Sequence, residues 1–186
     1  KAFRDHASEL QGCFVAGDVA TLRRAAQAIT GPGQAHLPVA VIAAPQDAWT
    51  VPPRCIPVLQ LPDMPPPAPW GQVSAQAGAA AAHSVQWAAR AALRGEIAAL
   101  VTAPLHKEAL HAAGVDYPGH TELLQAEAAA HAGVGLAQMP VRMMLANHEL
   151  RTVLVSIHVS LRQAIEAVTF DNVLQTLRIT HAALSA

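Results

Sequence analysis

Charge is scarce in this 186-residue chain, where Asp, Glu, Lys and Arg together make up 13% of the sequence and the formal net charge is −1. Its basic residues are scattered, which leaves no electrostatic footprint for nucleic acid. Cysteine is nearly missing. Cys13 and Cys55 each sit in an apolar run and form no C-x-x-C, so they read as reduced, buried thiols of a cytosolic protein rather than a disulfide framework. No apolar run reaches the length of a membrane span, because arginines and histidines interrupt each one. Several signatures are absent as well. No G-x-G-x-x-G follows a strand, and there is no G-x-x-x-x-G-K-[ST], H-E-x-x-H or G-x-S-x-G, which removes the dinucleotide fingerprint, the P-loop, the zincin helix and the nucleophile elbow.

What the chain does have is a 52% apolar content, much of it alanine and valine, which excludes a disordered segment and suffices for a sizeable core. Ten histidines make metal or acid–base chemistry worth testing. Both ends read as cut. "KAFRDHASEL" resembles the later turns of a helix, and "DNVLQTLRITHAALSA" stays helical to the last residue with no stop signal. The expectation is therefore that residues 1–186 are a partial α/β segment of a longer protein.

Between the ends, apolar runs alternate with helical ones. "GCFVAGD" and "LPVAVIAAP" are strand candidates, with the helical "VATLRRAAQAI" between them. Residues 52–69 hold many of the fourteen prolines. Such a stretch reads only as extended connection or edge strand, since proline donates no ladder hydrogen bond. A long small-residue helix follows from 71 to Gly95, then a strand over 97–104, a helix over 106–114, and a helix from Thr121 to Ala132. "PVRMMLA" and "LRTVLVSIH" read as a hairpin around Asn147-His148-Glu149, and two helices close the chain over 160–185. The alternation predicts a layered α/β fold with a mostly parallel sheet.

Three positions could carry chemistry. Lys107 lies in the first turn of its helix, where the dipole disfavours a cation, so it either answers an anionic ligand or reaches away into water. His120 and Thr121 follow the Pro118-Gly119 turn. Thr121 stands where an N-cap hydroxyl belongs, and His120 is either an incidental loop residue or part of an anion site at the helix N-terminus. His158 ends the "LRTVLVSIH" run, where alternation puts it on one face with Thr152, Leu154 and Ser156. His6, His36, His83, His131 and His181 have no convergent partners in sequence and read as surface or satisfied residues.

"LVTAPLHKEALHAAGVDYPGHTELL" together with "RMMLANHELRTVLVSIHVSLRQA" closely resembles the 4-hydroxythreonine-4-phosphate dehydrogenase family of pyridoxine biosynthesis. The T-[AG]-P-x-x-K and P-G-H-T-E pieces carry the match, which runs through most of residues 71–180. This resemblance implies a three-layer α/β/α fold with a mostly parallel sheet, like that of the isocitrate and isopropylmalate dehydrogenases. It also implies a cytoplasmic homodimer that uses NAD or NADP and a divalent metal (Zn, Mg or Co). The implied reaction oxidises 4-phosphohydroxy-L-threonine at its C3 hydroxyl, with loss of carbon dioxide. By resemblance, His120 and Thr121 bind the phosphorylated substrate, Lys107 is catalytic, and His158 is one of three metal-binding histidines. The family's other two metal histidines and most nicotinamide contacts have no counterpart in residues 1–186. Related dehydrogenases of 4-phosphothreonate or erythronate, and a non-catalytic α/β binding protein, are the competing readings.

Overall fold

The computed structural model describes residues 1–31 and 33–185. They divide into two compact units, Lys1–Ala132 and Gly133–Ala186, each taken by itself below.

In the first unit three short strands form a parallel sheet: β1 (Val15–Gly17), β2 (Val39–Ile42) and β3 (Ile56–Gln60), in the order β1-β3-β2. Around them lie α1 (Ala2–Asp5), α2 (Val19–Ala28), α3 (Ala75–Leu93), α4 (Lys107–Ala112) and α5 (His120–Ala132). Strand alternation sorts the apolar side chains onto two faces. Val15, Val39, Ile56 and Val58 pack with Phe3 of α1 and with Val19 and Leu22 of α2. On the other face Ala16, Ile42 and Leu59 pack with Phe14 and with Trp87 of α3. Helix, sheet and helix are thus stacked in three layers, and the expected α/β/α architecture holds in this unit.

Local sequence sets the helix ends. Asp18 caps α2, its carboxylate accepting from the N–H and the hydroxyl of Thr21, each at 2.7 Å. Ser74 caps α3 by accepting from the Ala77 N–H at 3.1 Å. At the far end Gly95 takes φ +73°, and the Gly95 and Glu96 N–H groups close back onto the carbonyls of Ala92 and Ala91. Gly95 is therefore the expected stop, since a left-handed residue after a helix favours glycine.

Two expectations about strands fail here for a physical reason. The proline stretch is not merely a connection or an edge, because it contains β3, the central strand. Ile56 donates to Pro38 of the β2 side, while Leu61 donates to Gly17 of the β1 side. Alternation puts the Pro57 nitrogen on the β1 side, one residue before pairing with β1 begins at Val58. Its missing N–H therefore costs no ladder bond. Conversely, residues 97–104 form no strand, and Val101 is 94% exposed. Their apolar content is strand-like, but among the described residues no ladder partner lies beside them. The cysteines are free, yet Cys13 is exposed and Cys55 half-buried, against the expectation of buried thiols.

The second unit holds β4 (Met144–Ala146) and β5 (Arg151–Val153), paired antiparallel, then α6 (Leu161–Glu166) and α7 (Phe170–Ser185). The expected hairpin is present. Asn147 shapes its turn by accepting from the Glu149 and Leu150 N–H groups at 2.8 and 2.7 Å. Ser160 and Gln163 form a reciprocal capping box at the start of α6. Among the described residues no helix is long and apolar enough to cross a membrane.

Candidate active site

Helix α3 is the scaffold on which the candidate residues are mounted, since α4 and α5 both pack against it. Against α4 the approach is backbone to backbone. Gly78 lies so close to the Ala109 carbonyl that a Cβ there would overlap its carbon and oxygen and come within 2.9 Å of the Leu110 nitrogen. Against α5 the clamp is ionic. The Arg90 guanidinium donates two parallel hydrogen bonds to the Glu127 carboxylate, at 2.7 and 3.0 Å. Glu127 is buried, while the Arg90 side chain remains 57% exposed. The carboxylate raises the Arg90 pKa above its ordinary value, chiefly through the hydrogen bond.

These two attachments fix where the N-terminal turns of α4 and α5 sit, and those turns carry the candidates. Lys107 is the first residue of α4 and is exposed, with His106 before it contributing no side-chain cap. His120 opens α5 itself, because the Gly119 carbonyl already accepts from the Leu123 N–H. The cap position therefore falls on Gly119, and Thr121 lies one residue inside the first turn, not at the expected N-cap. His120 and Thr121 are both half-buried.

His120 is distinguished by its ring. Its Nε2 is buried and finds no hydrogen-bond partner among the described residues. An unsatisfied buried polar atom costs roughly 1–3 kcal/mol, so such an atom at a helix N-terminus marks a place where a ligand oxygen would be favourable. His83 on α3 is in the same condition, contrary to its reading as a surface or satisfied histidine. Nothing in its sequence context signals that state. Gly78, by contrast, was visible as an isolated glycine in an alanine-rich helix, a pattern that often has a packing cause.

His158 belongs to the second unit and does not end a strand. Pairing with β4 stops at Val153, with one further bond from the Leu154 N–H to the Met143 carbonyl. The run with Thr152, Leu154 and Ser156 therefore has no strand alternation to align it. His158 instead is exposed and adopts φ +57°, a left-handed conformation uncommon for a non-glycine residue. Among the described residues no three His, Cys, Asp or Glu side chains form a group able to hold a metal ion. A catalytic metal takes about three protein ligands, so the residues present do not make a metal centre by themselves.

The first strand-to-helix turn is not open to a dinucleotide. Helix α2 follows directly from β1, but its N-terminus is closed by its own chain. Asp18 holds Thr21, and the Gln60 side-chain oxygen accepts from the Val19 N–H at 2.8 Å. Burial pushes the Asp18 carboxyl up, but hydrogen bonds from Thr21, Ala20 and Gln60 outweigh it and leave the pKa below the ordinary value.

The family model for the pyridoxal phosphate biosynthetic protein PdxA matches residues 9–186. A 4-hydroxythreonine-4-phosphate dehydrogenase of Beijerinckia indica subsp. indica is 48% identical over 111 residues, covering 60% of this chain and 31% of the relative. A D-threonate 4-phosphate dehydrogenase of Bordetella bronchiseptica is 39% identical over 167 residues, covering 89% of this chain and 44% of the relative. The crystal structure of 4-hydroxythreonine-4-phosphate dehydrogenase from Klebsiella pneumoniae superposes with a TM-score of 0.78 at 33% identity, over 95% of this chain and 50% of that one. The chain spans half or less of the length of these relatives.

Proposed function

Since the chain belongs to the pyridoxal phosphate biosynthetic protein PdxA family, we propose that it carries part of the active site of a cytoplasmic, homodimeric dehydrogenase acting on 4-phosphohydroxy-L-threonine. The observation that carries this reading is the orphaned Nε2 of His120 at the start of α5. The family names supply the reaction class.

In this reading C3 gives its hydrogen as a hydride to NAD or NADP while the hydroxyl on C3 gives its proton to a base, and the keto acid formed loses carbon dioxide. His120 donates or accepts through Nε2 to an oxygen of the phosphorylated substrate, with the Thr121 hydroxyl beside it. The positive end of α5 favours the same negative charge. Lys107 is the catalytic candidate, its ammonium offsetting negative charge that develops on oxygen as carbon dioxide leaves. His158 is proposed as one ligand of a divalent metal (Zn, Mg or Co), which when bound would polarise the alcohol. The described residues do not complete that centre.

The test is NAD reduction with 4-phosphohydroxy-L-threonine by the complete product of the gene, with 4-phospho-D-threonate as comparison substrate. Turnover of the former, lost by at least tenfold in His120→Ala, is the expected result, since a hydrogen bond to a charged group is worth about 1.5–3 kcal/mol. Equal kcat/KM for His120→Ala and the parent would sink the assignment. The 186-residue chain alone is expected to reduce no NAD, with or without zinc.

A further inference from the structure

Two left-handed turns bracket part of the connection that leaves β3 for α3. Asp63 adopts φ +54° and Gly71 φ +69°. Between them runs Met64-Pro65-Pro66-Pro67-Ala68-Pro69-Trp70, in which four of seven residues are proline. Such a run is semi-rigid, because each ring fixes φ and removes an N–H that could fold it back on itself. The segment is therefore a stiff bar with a turning point at each end.

Little fastens the bar. Among the described residues its one hydrogen bond comes from Gln76 Nε2 of α3, which donates to the Pro66 carbonyl at 2.7 Å. Met64 packs on the cluster of Leu59 and Leu61, which Trp87 of α3 also joins. At the far end the exposed Trp70 indole lies over the Arg24 guanidinium of α2, with Cζ 4.4 Å from the ring centroid. Helices α2 and α3 pack on opposite faces of the sheet, and the connection starts where β3 ends. A bar fastened to both helices thus crosses the carboxyl edge of the sheet, beyond which α/β folds place their ligands.

Closure strands two nitrogens. Arg24 Nε, on the guanidinium that the indole covers, is buried without a hydrogen-bond partner, and so is His83 Nε2. His83 stands on α3 between two residues tied to the bar. Gln76, seven residues before it on the same stripe, bonds Pro66, and Trp87, one turn after it, shares a cluster with Met64. The bar is therefore the cover on His83 as well. Water would satisfy both nitrogens once the bar lifted. One hydrogen bond and one cation–π contact are of the same order as two unsatisfied polar atoms, so the closed position is finely balanced.

We propose that residues 64–70 are a lid, hinged at Asp63 and Gly71 and latched by Trp70 on Arg24, that lifts from the carboxyl edge as a rigid bar. The inference rests on this geometry and not on the activity proposed above, so its test reads no turnover.

The experiment is nitrogen relaxation dispersion on the isotope-labelled chain, which reports exchange on the μs–ms timescale of lid motions. The backbone amides of Met64, Ala68 and Trp70, the Trp70 indole N–H and the Arg24 Nε–H should share one exchange rate. Arg24→Gln removes the latch and should raise the open population about tenfold, read at the amides of the bar, while the α3 amides keep their shifts. Pro66→Gly breaks the bar and should separate the rate at Met64 from the rate at Trp70. Absence of exchange at these probes in the parent would overturn the lid, as would unrelated rates among them. An open population indifferent to Arg24→Gln would remove the latch, and a common rate that survives Pro66→Gly would remove the rigid bar; either result ends the proposal.

Discussion

Gly78→Ala gives the sharpest test of how α4 is held. Intrinsic propensity argues that it should stabilise, because alanine is favoured over glycine by about 1 kcal/mol inside a helix. The packing argues the reverse. A Cβ at position 78 would overlap the Ala109 carbonyl, and the obstacle is backbone, which has no alternative rotamer to retreat into. Ala109 and Leu110 are 5% and 1% exposed, so α4 cannot yield without opening buried contacts. Overpacking of this kind costs about 1–3 kcal/mol, and the backbone clash places it at the upper end. Subtracting the propensity gain leaves a net loss of about 2 kcal/mol, or roughly 4–8 °C in the melting temperature of a domain of this size. Urea and thermal unfolding followed by far-UV circular dichroism would measure it. Ala79→Gly is the control, because Ala79 is exposed on the same helix and should lose about 1 kcal/mol by propensity alone. Both substitutions should destabilise, although they are opposite in kind. A Gly78→Ala protein with a raised midpoint would refute the close approach of α3 and α4, and with it the account of what positions Lys107.

The Arg90–Glu127 clamp should respond asymmetrically: Arg90→Ala strands a buried carboxylate and is expected to cost about 2–3 kcal/mol, whereas Glu127→Ala frees a half-exposed guanidinium to water and should cost about 1 kcal/mol less, read from urea midpoints. Asp18→Ala should cost about 1 kcal/mol near neutral pH. Because the folded pKa of Asp18 is depressed, that stabilisation is complete above the ordinary carboxylate range and disappears as pH falls through the folded value, so the parent and Asp18→Ala melting curves should converge in acid. In the complete enzyme Thr121→Ala should raise KM while changing stability by less than a lost cap would, about 1 kcal/mol, since Thr121 lies inside the first turn; a melt set beside the kinetics separates the two. His158→Gly should keep or improve stability, because glycine adopts φ +57° without strain, yet lose metal and activity if His158 is a ligand, as metal analysis would report.

Much of the first unit could be read along the chain because its signals are local. The first two strands with the helix between them, and the Gly95 stop, each depend on a few neighbouring residues, and the structure keeps them. The errors came where a partner decides the outcome. Pro57 looked fatal to a central strand until the register showed which side its nitrogen faces. Residues 97–104 and 154–158 have strand composition, but a strand also needs a neighbour, and composition does not say whether one is present. The candidate residues were found by motif, and only Lys107, His120 and Thr121 share a unit, while the buried Nε2 that singles out His120 is a property of packing and could not be seen in the letters.

The strand order β1-β3-β2 has a consequence for how the chain is made. Synthesis delivers β1 and β2 first, yet neither pairs with the other, and both wait for β3 at Ile56–Gln60. At about 5–20 residues per second, β1 stays unpaired for some seconds while residues 18–55 are added, and β2 for a shorter time while residues 43–55 are added. During that interval Val15 and Val39 have no ladder and only α1 and α2 for shelter. The arrival of β3 therefore joins these three strands in one step.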